Sequence, residues 1–302
     1  MDLPELGEQV WMRWGLFLSL LCGHAAYGGQ VPPIPPQELV RKVVQNELNA
    51  AKQGGINHTF RTRKETSSGS QTRLYCETRE AMVGLTVANN DKPLTPAELK
   101  EEEARLNSYL SDPSALRKKQ AQEKADADRV SRMVRALPDA FLFDYDGTEP
   151  ARMGVGKEGG ELVRLKFRPN PQYEPPSRVE QVLAGMKGHL LVDENAYRIA
   201  QIDGRLEKEV AFGWGILGHL DPGGHFLVEQ GDVGDVGWEI YRMSLSFTGK
   251  ILLFKRLDIH STEVSSNFRR VPGELSFAQG VDLLKKQLRE LAENGVGERS
   301  RR

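Results

Sequence analysis

Trp238-Glu239-Ile240-Tyr241-Arg242-Met243-Ser244-Leu245-Ser246-Phe247 decides the fold class. From Tyr241 onward, apolar Tyr241, Met243, Leu245 and Phe247 alternate with polar Arg242, Ser244 and Ser246. A period of two places one row on each face of a strand, one greasy and one wet. The same character extends in both directions. Leu190-Leu191-Val192, Tyr197 to Ile202, Val210 to Trp214 and Phe226 to Gln230 precede it, and Ile251 to Ile259 and Val264 to Val271 follow. Asp193-Glu194-Asn195, Asp203-Gly204, Asp221-Pro222-Gly223-Gly224, Gly231 to Gly237 and Thr248-Gly249-Lys250 separate them as turn formers. Gly185 to Arg270 therefore reads as an antiparallel meander whose apolar face needs a cover, either helices or a bound apolar molecule.

Upstream of the meander, Leu39, Val40, Val43, Val44, Leu48 and Ala51 share one side of a helix that Gly54-Gly55 stops. Strands follow over roughly His58 to Glu65, Arg73 to Thr78 and Met82 to Ala88, the first hairpin turning at Ser67-Ser68-Gly69-Ser70. Thr95 to Arg135 then changes character. Thr95 with Glu98 forms a capping box, Pro96 suits the first helical position, and Asp112-Pro113 opens a second helix. The alanine-interspersed charges of Lys118 to Arg129 predict a helical hairpin solvated along much of its length, touching the protein at its ends. Strands resume at Ala140 to Tyr145 and Leu162 to Phe167, with a short helix at Val179 to Met186. A closing helix carries Phe277, Val281, Leu284, Leu288 and Leu291, capped by Ser276 and Gln279.

At 302 residues the chain is long enough for a substantial core. Lys+Arg of 41 against Asp+Glu of 42 argues against a general nucleic-acid binder. Hydrophobic content of 39% excludes a polytopic membrane protein. Near the start, Trp14 to Cys22 is a short apolar run behind Arg13 and before Gly23, Ala25, Ala26 and Gly28. That fits the core of an export signal and falls short of the roughly twenty residues of a spanning helix. Cleavage after Gly28 is the preferred site, with Met12 as an alternative start and a lipid-modified Cys22 as an alternative processing route. With cleavage there, Cys76 is the sole cysteine of the mature chain and forms no intrachain disulfide.

The expected layout is a signal peptide over 1–28, a Pro-rich leader over 29–36, one domain over 37–293 with a helical insertion at 95–136, and a disordered basic tail over 294–302. The expected class is α+β: a large curved antiparallel sheet, an incomplete β-barrel, packed on the N-terminal helix, with the inserted hairpin and the C-terminal helix.

Three groups of residues invite a chemical reading. Phe141-Leu142-Phe143-Asp144-Tyr145-Asp146-Gly147-Thr148 resembles the first motif of the haloacid-dehalogenase phosphatases. There Asp144 would attack phosphorus, Asp146 would act as general acid, and Asp232 and Asp235 would stand as distal magnesium ligands. Against it, that family needs parallel strands joined by helices, and the chain beyond Thr148 alternates strands with Gly/Pro loops. His219, Asp221 and His225 are close enough in sequence to bind zinc, although Pro222-Gly223-Gly224 marks an ordinary hairpin turn between them. Asn57-His58-Thr59 matches a glycosylation acceptor. The third group is apolar: Phe212, Trp214, Phe226, Trp238, Tyr241, Met243, Leu245, Phe247 and Phe254. Each is ordinary core taken singly; together they would line one face of a sheet broad enough to hold an acyl chain, at about 0.8 kcal/mol per buried methylene.

The order of export signal, amphipathic helix, three strands, helical insertion and long meander is similar to the periplasmic lipoprotein-carrier and outer-membrane lipoprotein-sorting superfamily. Ile202-Asp203-Gly204, Phe212-Gly213-Trp214-Gly215 and Gly249-Lys250-Ile251-Leu252-Leu253-Phe254-Lys255 carry the resemblance. The long charged insertion and the appended C-terminal helix depart from it. It implies a half-barrel sheltering an apolar or lipidated ligand, no catalysis and no cofactor. It also implies an exported, periplasmic or envelope location, and lipid, a lipidated protein or envelope proteins as partners.

Overall fold

The structure, a computed structural model, describes residues 34–53, 57–212, 218–251 and 255–299. The expected signal peptide, the leader before Ile34, Trp214 and Phe254 lie outside them. In chain order the elements are α1 (Pro36–Gln53), β1 (His58–Thr66), β2 (Gly69–Cys76), β3 (Val83–Asn89), β4 (Lys92–Pro93), α2 (Pro96–Ser111), α3 (Pro113–Ala140), β5 (Phe141–Pro150) and β6 (Glu161–Pro169). There follow α4 (Arg178–Gln181), β7 (Met186–Asp193), β8 (Arg198–Leu206), β9 (Val210–Phe212), β10 (Gly218–Leu220), β11 (His225–Asp232), β12 (Trp238–Ile251), β13 (Lys255–Arg270) and α5 (Phe277–Arg299).

The fold class is the expected α+β one. A 13-stranded sheet runs β4-β3-β2-β1-β13-β12-β11-β8-β7-β6-β5, with β10 beside β12 and β9 beside β10. The main path ends at β4 and β5, β9 ends the branch at β12, and the sheet does not close into a barrel. Neighbouring elements pair antiparallel because short turns connect most of them. The end strand β4 carries Pro93, which cannot donate to a further partner.

Two separators of the meander behave otherwise than expected. Thr248-Gly249-Lys250 lies inside the unbroken β12, where it pairs with β10. Asp203-Gly204 lies inside β8. In both, glycine answers crowding rather than a turn. A Cβ on Gly249 would collide with the carbonyl oxygen of His219, and one on Gly204 would press on Met186 at 2.7 Å. The break expected between Ile259 and Val264 is likewise absent from β13.

Contacts divide the described residues into two compact units, one of residues 57–128 and 261–299, the other of residues 34–53 and 129–260. In the first, Leu74, Cys76, Val83 and Leu85 of β2 and β3 pack against Leu106 of α2 and Phe277, Val281 and Leu284 of α5. The caps form as expected. Thr95 and Glu98 cap α2 reciprocally, and Ser276 and Gln279 exchange hydrogen bonds at the start of α5.

The insertion is more deeply built in than its charge suggests. Glu102 of α2 accepts the Thr86 amide at 2.6 Å, and Arg105 bridges Glu102 to the Gly84 carbonyl. Desolvation pushes the Glu102 carboxyl up, but Arg105 and the Thr86 amide together hold it below its ordinary value. In the charged middle of α3, Lys119 and Glu123 pair at 2.8 Å with both side chains largely covered, Glu123 accepts the Met82 amide, and Asp126 is buried. Paired charges, not carbon alone, seat this helix.

In the second unit α1 lies over β5 and β8. Its Leu39, Val40, Val43, Val44 and Leu48 share one core with Phe141, Phe143, Val163, Leu165, Phe167, Leu190, Val192 and Ile199. Val163, Leu165 and Phe167 of β6 belong to this core. Even-numbered Leu162 joins Leu191, Ala200, Val155 and Trp238 in a separate cluster.

Candidate functional site

The α1-bearing face of the second unit is built by register. Leu165, Leu190, Ile202, Val228 and Met243 are successive cross-strand partners through β6, β7, β8, β11 and β12. The adjacent row is Phe167, Gly188, Gly204, Phe226 and Leu245. Direct partners in antiparallel strands present side chains to the same face. Phe167 reaches over the two glycines, where a Cβ on Gly188 would collide with the Asp203 carbonyl oxygen.

Of the apolar residues singled out in the sequence, this face gathers Phe226, Met243, Leu245 and Phe247. Met243 is buried, whereas Phe226, Leu245 and Phe247 are half-buried, and Phe226 and Phe247 pack against the α1 core. Trp238 and Tyr241 part from them. Between Glu229/Arg242 and Gln230/Ile240 the β11–β12 register slips by one residue, and Tyr241 is the extra one. Such a bulge resets which face each side chain takes. Tyr241 lies against Gly154, and Trp238 is buried with Val155, Leu162 and Leu191. Phe212 ends β9.

At one end of this face is a polar cluster that sequence reasoning missed. Glu47 of α1 is 0% exposed, and its Oε1 accepts from Arg198 Nε at 3.0 Å, the Ile199 amide at 2.8 Å and Gln230 Nε2 at 3.1 Å. Trp238 donates to the Ile199 carbonyl at 3.2 Å, and its ring lies 5.4 Å from the Arg198 guanidinium carbon. Asn46, next on α1, donates to the Ala196 and Tyr197 carbonyls. Burial pushes the Glu47 carboxyl above its ordinary value, with Arg198 opposing. The signal was present: Glu47 stands three and four residues after Val44 and Val43, within the apolar stripe of α1.

The catalytic and metal candidates do not assemble. Asp144 is 67% exposed and 3.8 Å from Arg168 on an antiparallel end strand. Asp146 is bonded by Lys166 at 2.5 Å and Arg164 at 3.1 Å, which hold its carboxyl below the usual range. Both are ordinary cross-strand ion pairs. His219 pairs with Asp221 at 3.3 Å and His225 with Asp203 at 2.8 Å, on strands that each join β12 and not one another. Among the described residues no three His, Cys, Asp or Glu side chains are grouped to hold a metal. In Asn57-His58-Thr59 the Asn57 side chain donates to the Gly273 carbonyl, and Thr59 is buried. Burial pushes the Cys76 thiol up to about 12.

Among the described residues no helix is long and apolar enough to cross a membrane. No family model and no curated protein sequence matches the chain. Solved structures similar to it include these two. One is a DUF1329 family protein from Desulfovibrio piger, at 10% identity over 81% of this chain and 96% of that one, with a TM-score of 0.29. The other is MucB in complex with MucA(peri), at 9% identity over 80% of this chain and 100% of that one, with a TM-score of 0.21. Likenesses at this level carry no argument about ligand or activity.

Proposed function

We propose that this chain is an exported, non-catalytic binding module of the periplasm or cell envelope that takes an apolar or lipidated ligand on the α1-bearing face. The observation that carries this reading is the half-buried group Phe226, Leu245 and Phe247, contiguous on one face and continuous with the α1 core. Partly exposed apolar side chains gathered this way mark ligand or partner surfaces more often than scattered single ones. The separation of Asp144 and Asp146 into ion pairs, and of His219 from His225, favours binding over hydrolysis.

A second reading rests on α1 itself. Leu39, Val40 and Val43 are fully buried on the same face, so the helix fills its centre and leaves the margin at β11 and β12. That favours an envelope protein-interaction module, whose partner would cover the margin alone.

Titration with a fluorescent long-chain fatty acid tests the first reading. Saturable binding is expected, weakened about tenfold, or roughly 1.4 kcal/mol, by Phe226→Ala or Phe247→Ala. A folded wild-type protein that gives no saturable signal would remove the apolar ligand and leave the interaction module.

A further inference from the structure

Within the first unit, β3 has β2 along one side, while on its other side β4 pairs only with Ala88 and Asn89. Side chains of the helical insertion meet the rest of that edge. The Met82 amide, just before β3, donates to Glu123 at 3.1 Å, the Gly84 carbonyl accepts from Arg105 Nη2 at 2.6 Å, and the Thr86 amide donates to Glu102 Oε1 at 2.6 Å. Met82, Gly84 and Thr86 alternate along the chain, as the backbone groups on one side of a strand do. Arg105 also holds both oxygens of Glu102, each at 2.7 Å. The ion pair therefore offers the edge one acceptor and one donor side by side, which is the pattern a neighbouring strand would present.

We propose that the Glu102–Arg105 pair covers a latent strand-docking edge, and that the partner this edge fits is β3 of a second copy of the chain. Ala81 to Ala88 carries no charge and no proline, so an antiparallel copy would meet no like charge and no missing donor. Centred on Leu85, two copies would place Gly84 opposite Thr86 twice over, each Thr86 amide donating to the Gly84 carbonyl of the other copy. Those are the two backbone atoms that the ion pair now occupies. The register spans Val83 to Val87 and stops before β4 begins at Ala88. Edge strands are commonly blunted by charge, and here the charge comes from a neighbouring helix. The cover is light: of the 16 residues of α2, Glu102 and Leu106 are the buried ones, and a helix with so little buried belongs to the parts of a fold that open locally.

Sedimentation equilibrium of the whole chain over a concentration series tests this. Glu102→Ala/Arg105→Ala, checked for folding by circular dichroism, is expected to dimerise about tenfold or more tightly than wild type, because the edge loses two charge-assisted hydrogen bonds. Hydrogen exchange identifies the surface: in the variant, residues 82–88 should gain protection as the concentration rises. A folded variant as monomeric as wild type, or a dimer that leaves 82–88 unprotected, would overturn the proposal. Exchange in dilute wild type decides the matter if the variant does not fold. There 82–88 should exchange by local opening, ahead of 71–76 in β2 and at a rate insensitive to low urea. Exchange of the two segments only together, on global unfolding, would show that the cover does not lift and would equally overturn it.

Discussion

Glu47 on α1 and Arg198 on β8 meet at 3.0 Å across 151 residues of sequence, with side-chain exposures of 0% and 8%. This contact sets where α1 sits along the sheet, since Asn46 and Glu47 together bind consecutive groups from Ala196 to Ile199. Removing one partner leaves the other charged and buried. Glu47→Ala should therefore cost about 3–5 kcal/mol in urea unfolding, whereas Glu47→Leu/Arg198→Met should range from neutral to about 1–4 kcal/mol more stable. A double variant no better than the single ones would mean that the surrounding shell, not the pair, seats the helix.

The same residue sets a pH dependence. Burial holds the folded-state Glu47 carboxyl above its ordinary value of 4.5, so the folded chain keeps that proton to higher pH than the unfolded chain does. Its contribution favours folding at acid pH and is lost as the pH rises through the folded value. Asp146, held low chiefly by Lys166, has the opposite sign: its contribution is present above 3.8 and lost as the pH falls through its lowered value. Across a pH series of urea melts, the stability of wild type relative to Glu47→Gln should fall as the pH climbs above 4.5. The difference between wild type and Asp146→Asn should instead shrink on acidification.

Gly188 is a point where backbone crowding can be tested apart from turn geometry, because its φ is not in the left-handed region. A Cβ there meets the Asp203 carbonyl and Phe167. Gly188→Ala should destabilise by about 1–3 kcal/mol or more, measured as a lowered urea midpoint with accelerated hydrogen exchange in β7 and β8.

Cys76 should be silent in the native state. Its thiol is buried beneath α5 and pushed up to about 12, so almost no thiolate exists near neutral pH. A thiol reagent should label it only on unfolding of the first unit, at a rate that rises with urea. Fast labelling of the folded protein would show that α5 does not cover β2 and β3.

Much of this architecture is written in local signals. Alternation in Tyr241 to Phe247, the Thr95/Glu98 box and the Ser276/Gln279 cap are each complete within a few residues, and the corresponding elements form where expected. What was illegible is non-local. Gly204 and Gly249 look like turn residues until a neighbouring strand is known to press on them. Tyr241 keeps perfect alternation, yet a register slip against β11 separates it from Met243, Leu245 and Phe247. Glu47 was visible as a charge within an apolar stripe, but its partner lies on β8 and nothing local points to it.

The claim on which the functional account depends is that the margin formed by Phe226, Leu245 and Phe247 holds an apolar guest. Native mass spectrometry of the protein purified from the cells that make it measures this directly. A species heavier by the mass of a lipid or acylated molecule is predicted, diminished in Phe226→Ala and Phe247→Ala preparations that keep the native circular dichroism. Only the bare polypeptide mass, in wild type and variants alike, would contradict it.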